Sequence, residues 1–236
     1  KRGPERVDIA KLEPEHIYEP EISGGYLLKK DWWAEGFDTV IYQDHLIWVD
    51  PDADRLVDEQ KTWIGGFFNA FEAALAGPDF QSPWLGYAAF IDVDSFIDHH
   101  LLVEFARNVD GFVLSTYLHK DREGLLCMGP IWDYNGALGN ADYFEAWRPD
   151  GWHYENPEFP ADNPQGFCWY AALLEDPAFL ALRRERWRAH RAGAWSDAEI
   201  EARIDEAVAV QVHAHIARSI GLEQSRAHRL VLPIEK

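Results

Sequence analysis

At 236 residues, 47% hydrophobic and 27% charged, the chain can bury a sizeable core, which excludes an intrinsically disordered polymer. No apolar run approaches the ~20 residues of a transmembrane helix, which excludes a membrane span of that kind. Its 22 basic residues against 41 acidic ones leave a net charge of −19, which repels a phosphate backbone and argues against nucleic acid, while remaining compatible with a polycationic protein partner or divalent metal.

Residues 1–31 read as strands and turns: residues 6–10 alternate, a Pro- and Glu-rich loop follows, and Ser23-Gly24-Gly25 leads into Tyr26-Leu27-Leu28-Lys29-Lys30-Asp31. A second β tract covers residues 37–49, with Phe37, Val40, Tyr42, Leu46 and Trp48 among its apolar members. Asp54 is expected to cap a helix over residues 55–75, where Trp63, Ile64, Phe67, Phe68, Phe71 and Leu75 recur at helical spacing and read as core; Gly77-Pro78 ends it. Inside it, Gly65 and Gly66 each cost about 1 kcal/mol relative to Ala.

Asp92 or Asp94 caps the next helix, over residues 94–107, whose apolar stripe is Phe96, Ile97, Leu101 and Phe105 and whose left-handed terminal position suits Asn108. His99 and His100 are neighbours there, but adjacent helical residues point about 100° apart, so they are not expected to share a metal. Residues 111–119 and 125–132 are two β runs joined by a turn at 120–124. Residues 136–170, with Trp147, Trp152 and Trp169, read as a long ordered loop. Cys127 and Cys168 have no companion at zinc spacing and read as small core residues.

The end is helical. Asp176-Pro177 opens one helix, and the capping box Ser196-Asp197-Ala198-Glu199 opens another, with Ile200, Ile204, Val208, Val212 and Ile216 in register. The arginines at 183, 184, 186, 188 and 191 read as a solvated helix face, and His213 and His215 face different sides of their helix. This order of elements is that of an α+β protein, read as a single domain over residues 1–236.

Asp110 and Asp133 stand at the outer ends of the two β runs, and a hairpin returns the chain to where it left. Phosphoryl transfer from ATP uses one carboxylate to accept the proton of the attacking hydroxyl and a second to hold the metal that neutralises the phosphates. Protein kinases present these as helix, catalytic-loop Asp, two strands, then metal-binding Asp, and the same order occurs here. On this reading Asp110 is the catalytic carboxylate and Asp133 the metal ligand. Asn108 and Asn135 are auxiliary metal or phosphate ligands, and Ser115 stands five residues after Asp110, where a kinase places a metal-binding Asn. No H-R-D triplet and no glycine-rich phosphate loop is present, and Asp residues beside a hairpin commonly do no more than close turns.

Several less common words occur in order: Val7-Asp8-Ile9-Ala10-Lys11-Leu12, Ser23-Gly24-Gly25-Tyr26-Leu27-Leu28-Lys29, Tyr87-Ala88-Ala89-Phe90-Ile91-Asp92-Val93-Asp94-Ser95-Phe96-Ile97-Asp98, Asn108-Val109-Asp110-Gly111, Leu114-Ser115-Thr116-Tyr117-Leu118-His119-Lys120-Asp121 and Met128-Gly129-Pro130-Ile131-Trp132-Asp133-Tyr134-Asn135. Together they resemble the spore-coat protein H (CotH) kinase family over nearly the whole chain. The resemblance implies an atypical protein-kinase-like fold, mainly the helical C-lobe with a central β-hairpin and a β-rich N-terminal part. It implies ATP with Mg or Mn as cofactors, a protein substrate phosphorylated on Ser or Thr, and a spore-coat, cell-surface or secreted setting. Asp110 carries over as the catalytic carboxylate and Asp133 as the metal ligand. The family also has an upstream basic, nucleotide-binding portion, so the chain is expected to lack that N-lobe and its phosphate-binding lysine. Tyr26, Trp32 and Trp132 are the candidates for the adenine platform, with Asn108 and Ser115 as further nucleotide contacts.

Two other readings use the same residues. The 11 tryptophans and paired carboxylates suit a carbohydrate-active protein, whose carboxyls lie about 5 to 10 Å apart with one pKa raised. A coat or surface assembly module would keep the fold without turnover.

Overall fold

Tyr26-Leu27-Leu28 is an unbroken apolar run because the strand that carries it, β1 (Tyr26–Lys30), is the middle strand of a sheet and is covered on both faces. The protein is seen here as a computed structural model that describes residues 7–155 and 169–219, with side chains to residue 211. Arg6, the 156–168 part of the long loop with Cys168, and the side chains of Val212, His213, His215 and Ile216 lie outside the described residues. Two compact units are present, Lys1–Arg184 and Glu185–Lys236.

In the first unit, β2 (Gly36–Asp38), β3 (His45–Asp50), β4 (Thr116–Lys120) and β5 (Leu126–Met128) join β1 in the order β2-β3-β1-β4-β5, every pair antiparallel. The expected 37–49 tract is thus two short strands. Val7 makes only an isolated bridge. The register Tyr26↔Lys120, Leu28↔Leu118 and Lys30↔Thr116 sets these side chains on one face. That face meets α1 (Asp58–Ala76): the Tyr26 ring stacks on Trp63 at 6.1 Å, and the Lys120 ammonium lies 5.2 Å from the centre of the Phe67 ring. Ile64, Phe68, Phe71 and Leu75 are buried as their spacing predicts, and Trp169, from the short helix α3 (Trp169–Leu173), lies against Phe68 and Phe71.

Asp54 does not cap α1. The helix starts later because Arg55 is drawn back to Asp50 and Asp52, at 2.9 and 3.2 Å, and Val57 stands at the N-cap with its N–H donating to Gln60 Oε1 at 3.3 Å. Gln60 is buried and donates to the carbonyls of Glu13 and His16, tying the N-terminal segment to the first turn of the helix. A Cβ added at Gly65 or Gly66 meets nothing within 4 Å. Gly65→Ala and Gly66→Ala are therefore expected to stabilise the protein by up to about 1 kcal/mol each, read as a higher urea midpoint at unchanged slope.

Helix α2 (Val93–Ala106) is capped by Asp92, whose carboxylate accepts the Ser95 N–H at 2.8 Å. At its other end the left-handed residue is Arg107 (φ 45°, ψ 51°), not Asn108, which is buried at 1% exposure and carries the chain inward. Residues 111–115 do not extend as strand: the Asp110 carbonyl accepts the N–H of Val113 and of Leu114, closing a turn, and β4 begins only at Thr116. Likewise β5 ends at Met128, because Gly129 adopts φ +116° and Pro130 has no N–H to continue the ladder.

Helix α4 (Pro177–Ala192) begins where Asp176 accepts the Ala178 N–H at 2.9 Å, and α5 (Asp197–Ser219) where Ser196 Oγ accepts the Glu199 N–H. The α5 stripe is in register but not buried: Ile204 and Val208 are 57% and 53% exposed.

Candidate functional site

The register that sets Lys30 opposite Thr116 places Asp31, which follows the end of β1, beside Ser115, which precedes β4. Asp110 sits in the turn after α2 and is half-buried. Burial pushes its carboxyl pKa up, and the charges of Asp133 and then Asp31 push it further. Asp31 was not singled out in the sequence because its approach depends on β1 pairing with β4, a contact that no local pattern announces.

Asp133 is exposed and takes a left-handed backbone, φ +58°; Ser115, across the site, does the same at φ +52°. Such positions cost on the order of 1 kcal/mol or more for residues other than Gly, and they cluster at functional sites. Asp tolerates the conformation better than Ser.

A pocket of about 260 Å³ opens between α2 and the segment that follows β5. Asn108, Ser115 and Trp132 all line it, together with Tyr117 and Tyr134. Trp132 is 53% exposed and meets the Tyr117 ring edge-on at 6.2 Å. Helix α2 adds Ser95, Asp98 and His99, which sequence reasoning did not single out as site residues; their place on the wall emerges only once α2 is packed against β5. No Lys or Arg is among the lining residues.

The polar groups of the wall are held from behind. Tyr170 donates its O–H to the Phe96 carbonyl at 2.9 Å, so its oxygen accepts from His99 Nδ1, also at 2.9 Å. Burial pushes the His99 pKa down to about 3, keeping it neutral. Burial pushes the Tyr134 hydroxyl up to about 12, offset in part by a hydrogen bond from the Asn108 amide, whose Oδ1 is buried without a partner.

Asn135 is exposed beyond Asp133, and its carbonyl accepts the Asn140 amide at 2.7 Å. Tyr26 is enclosed in the core, its hydroxyl donating to the Ile22 carbonyl, which removes it as an adenine platform. Trp32 lies in a different groove, with Lys30, Asp31 and Trp33.

Among the described residues no three His, Cys, Asp or Glu side chains gather closely enough to hold a metal by themselves. Magnesium usually needs only one or two carboxylates, the rest of its shell being water and substrate phosphates.

A family model described as CotH kinase protein aligns with residues 6–226. No curated protein and no solved structure matches the chain.

Proposed function

The chain belongs to the CotH kinase protein family, and from that premise we propose that it transfers the terminal phosphoryl group of ATP to a Ser or Thr hydroxyl of a protein, with Mg or Mn. The family carries with it a spore-coat, cell-surface or secreted setting. The match spans both units, which supports reading residues 1–236 as one domain with an atypical protein-kinase-like arrangement, chiefly of C-lobe elements.

The observation that carries this reading is the shared electrostatic neighbourhood of Asp110 and Asp133, beside a pocket walled by Asn108, Ser115 and Trp132. Asp110 orients the acceptor hydroxyl and takes its proton; its raised proton affinity suits that task. Asp133, assisted by Asn135, holds the metal, which when bound neutralises charge on the phosphates. Asn108, Ser115 and Trp132 contact the nucleotide, Trp132 offering its exposed ring face. The acidic surface favours a basic substrate protein.

Incubation with γ-labelled ATP, Mn and a Lys/Arg-rich, Ser-containing acceptor should label the acceptor, and EDTA should abolish labelling. Labelling that is absent with both metals contradicts the proposal. Metal-independent cleavage of a glycoside would instead favour hydrolysis by the same carboxylate pair. Trp132→Ala is expected to raise the Kd for ATP roughly 3- to 10-fold without loss of fold, measured by calorimetry.

A further inference from the structure

A second groove, of about 180 Å³, runs between the end of β1 and the Asp110 turn; Asp31, Trp32, Trp33 and His45 line one side, Val113 and Leu114 the other. Trp32 and Trp33 are 74% and 84% exposed, far more than a large apolar ring needs to be in a protein that can bury a core. The Trp32 backbone N–H donates to Asp31 Oδ1 at 2.8 Å, and the Trp33 ring is held in place by stacking on the His45 ring at 6.3 Å and 14°. His45 is fixed at both nitrogens, 2.7 Å from Asp38 Oδ1 and 2.9 Å from the Ala34 carbonyl.

The charged groups of the groove are already matched. Lys29 donates to Asp31 Oδ2 at 2.8 Å, and Lys30 pairs with the buried Asp44. An ionic ligand would have to break one of these pairs, whereas a neutral one need not. What the groove offers is the fixed ring of Trp33 beside the exposed ring of Trp32, the indole N–H groups of both, and the remaining lone pairs of Asp31. A pyranose has the complementary chemistry: an apolar face of C–H groups that lies flat on an indole, and hydroxyls around its edge that donate and accept. The volume is below the ~300 Å³ at which pockets enclose a whole ligand, so it suits a single ring of a longer, otherwise solvated chain.

We propose that this groove is a carbohydrate-binding subsite, taking one unit of a neutral hexose polymer stacked on Trp33 and covered by Trp32 beside the Asp110 turn. Sugar binding here does not require phosphotransfer and is tested without ATP or metal.

Titration with cellohexaose and with N-acetylchitohexaose, followed by tryptophan fluorescence and by NMR of the indole N–H signals, is expected to give saturable binding of at least one sugar in the millimolar range. Trp32→Ala and Trp33→Ala should each weaken that binding about tenfold or more. Trp84→Ala, which removes an equally exposed ring outside the groove, should leave it unchanged. All three positions are exposed, so the variants should fold, which circular dichroism checks. The proposal is overturned if neither sugar shifts the signals, if the Trp33 variant binds as the wild type does, or if a Lys/Arg-rich peptide rather than sugar perturbs the Trp32 and Trp33 signals.

Discussion

Asp110→Asn is expected to lower phosphotransfer by about 10²- to 10⁴-fold, the usual contribution of a positioned general base, while leaving the Kd for ATP within about twofold. The turn should survive the change, because the backbone carbonyl of Asp110, not its carboxylate, accepts the N–H groups of Val113 and Leu114. Asn has nearly the same shape but does not take a proton from the acceptor hydroxyl. A kcat that falls with KM for ATP unchanged is the signature of a lost chemical role; a joint loss of binding would indicate a disturbed turn. Asp31→Asn is a useful companion. Asp31 acts on Asp110 through space, so its removal should cost far less than removal of Asp110 itself.

Acidification from pH 7 to pH 4 is expected to destabilise the fold sharply. His100 is buried and His99 partly so, with pKa values pushed down to about 3, and His153 to about 4, against 6.5 in the unfolded chain. A base whose folded pKa is depressed loses stabilising effect as pH falls, because the unfolded state takes up the proton first. As pH falls below 6.5 the unfolded chain gains protons at three histidines that stay neutral in the fold until about pH 4, where His153 begins to take one up. Asp44 opposes them: burial raises its pKa to about 6 despite Lys30, so it favours the fold most below about pH 4 and loses that effect as pH rises through 6. Glu104 and Asp110 are shifted the same way. The histidine displacements are larger, so stability should fall with pH.

His100 is the most informative single change. Both its ring nitrogens are buried without partners among Phe112, Tyr154 and Tyr170, an arrangement that costs on the order of 1–3 kcal/mol. His100→Leu should therefore raise the urea midpoint at pH 7 and flatten the dependence of Tm on pH. An unchanged pH slope would show that His100 does not carry this linkage.

The candidate site was legible where local order sufficed. Asp110 and Asp133 could be paired because a β-hairpin joins them, and Asn108, Ser115 and Trp132 fall on one pocket wall because each flanks that hairpin. Asp31, Asp98 and His99 were not legible as site residues: their places depend on β1 lying next to β4 and on α2 crossing β5, contacts between segments remote in sequence. Helical periodicity named the α1 core correctly but misplaced its start, since the true start is set by Gln60 reaching back to Glu13 and His16. On α5 the same periodicity gave a stripe that is exposed at Ile204 and Val208, because register alone does not supply a partner.

The most direct test of the kinase assignment is a thermal-shift comparison of wild type and Asp133→Asn with ATP, in the presence of Mn or of EDTA. Binding to the folded state alone raises Tm, and at a ligand concentration about 100 times Kd the gain is about 2.7 kcal/mol. The wild type should be stabilised by ATP with Mn well beyond ATP with EDTA, and Asp133→Asn should abolish that difference. A wild type indifferent to the metal, or a variant that responds as the wild type does, would contradict the assignment of Asp133 as the metal ligand of an ATP-dependent site.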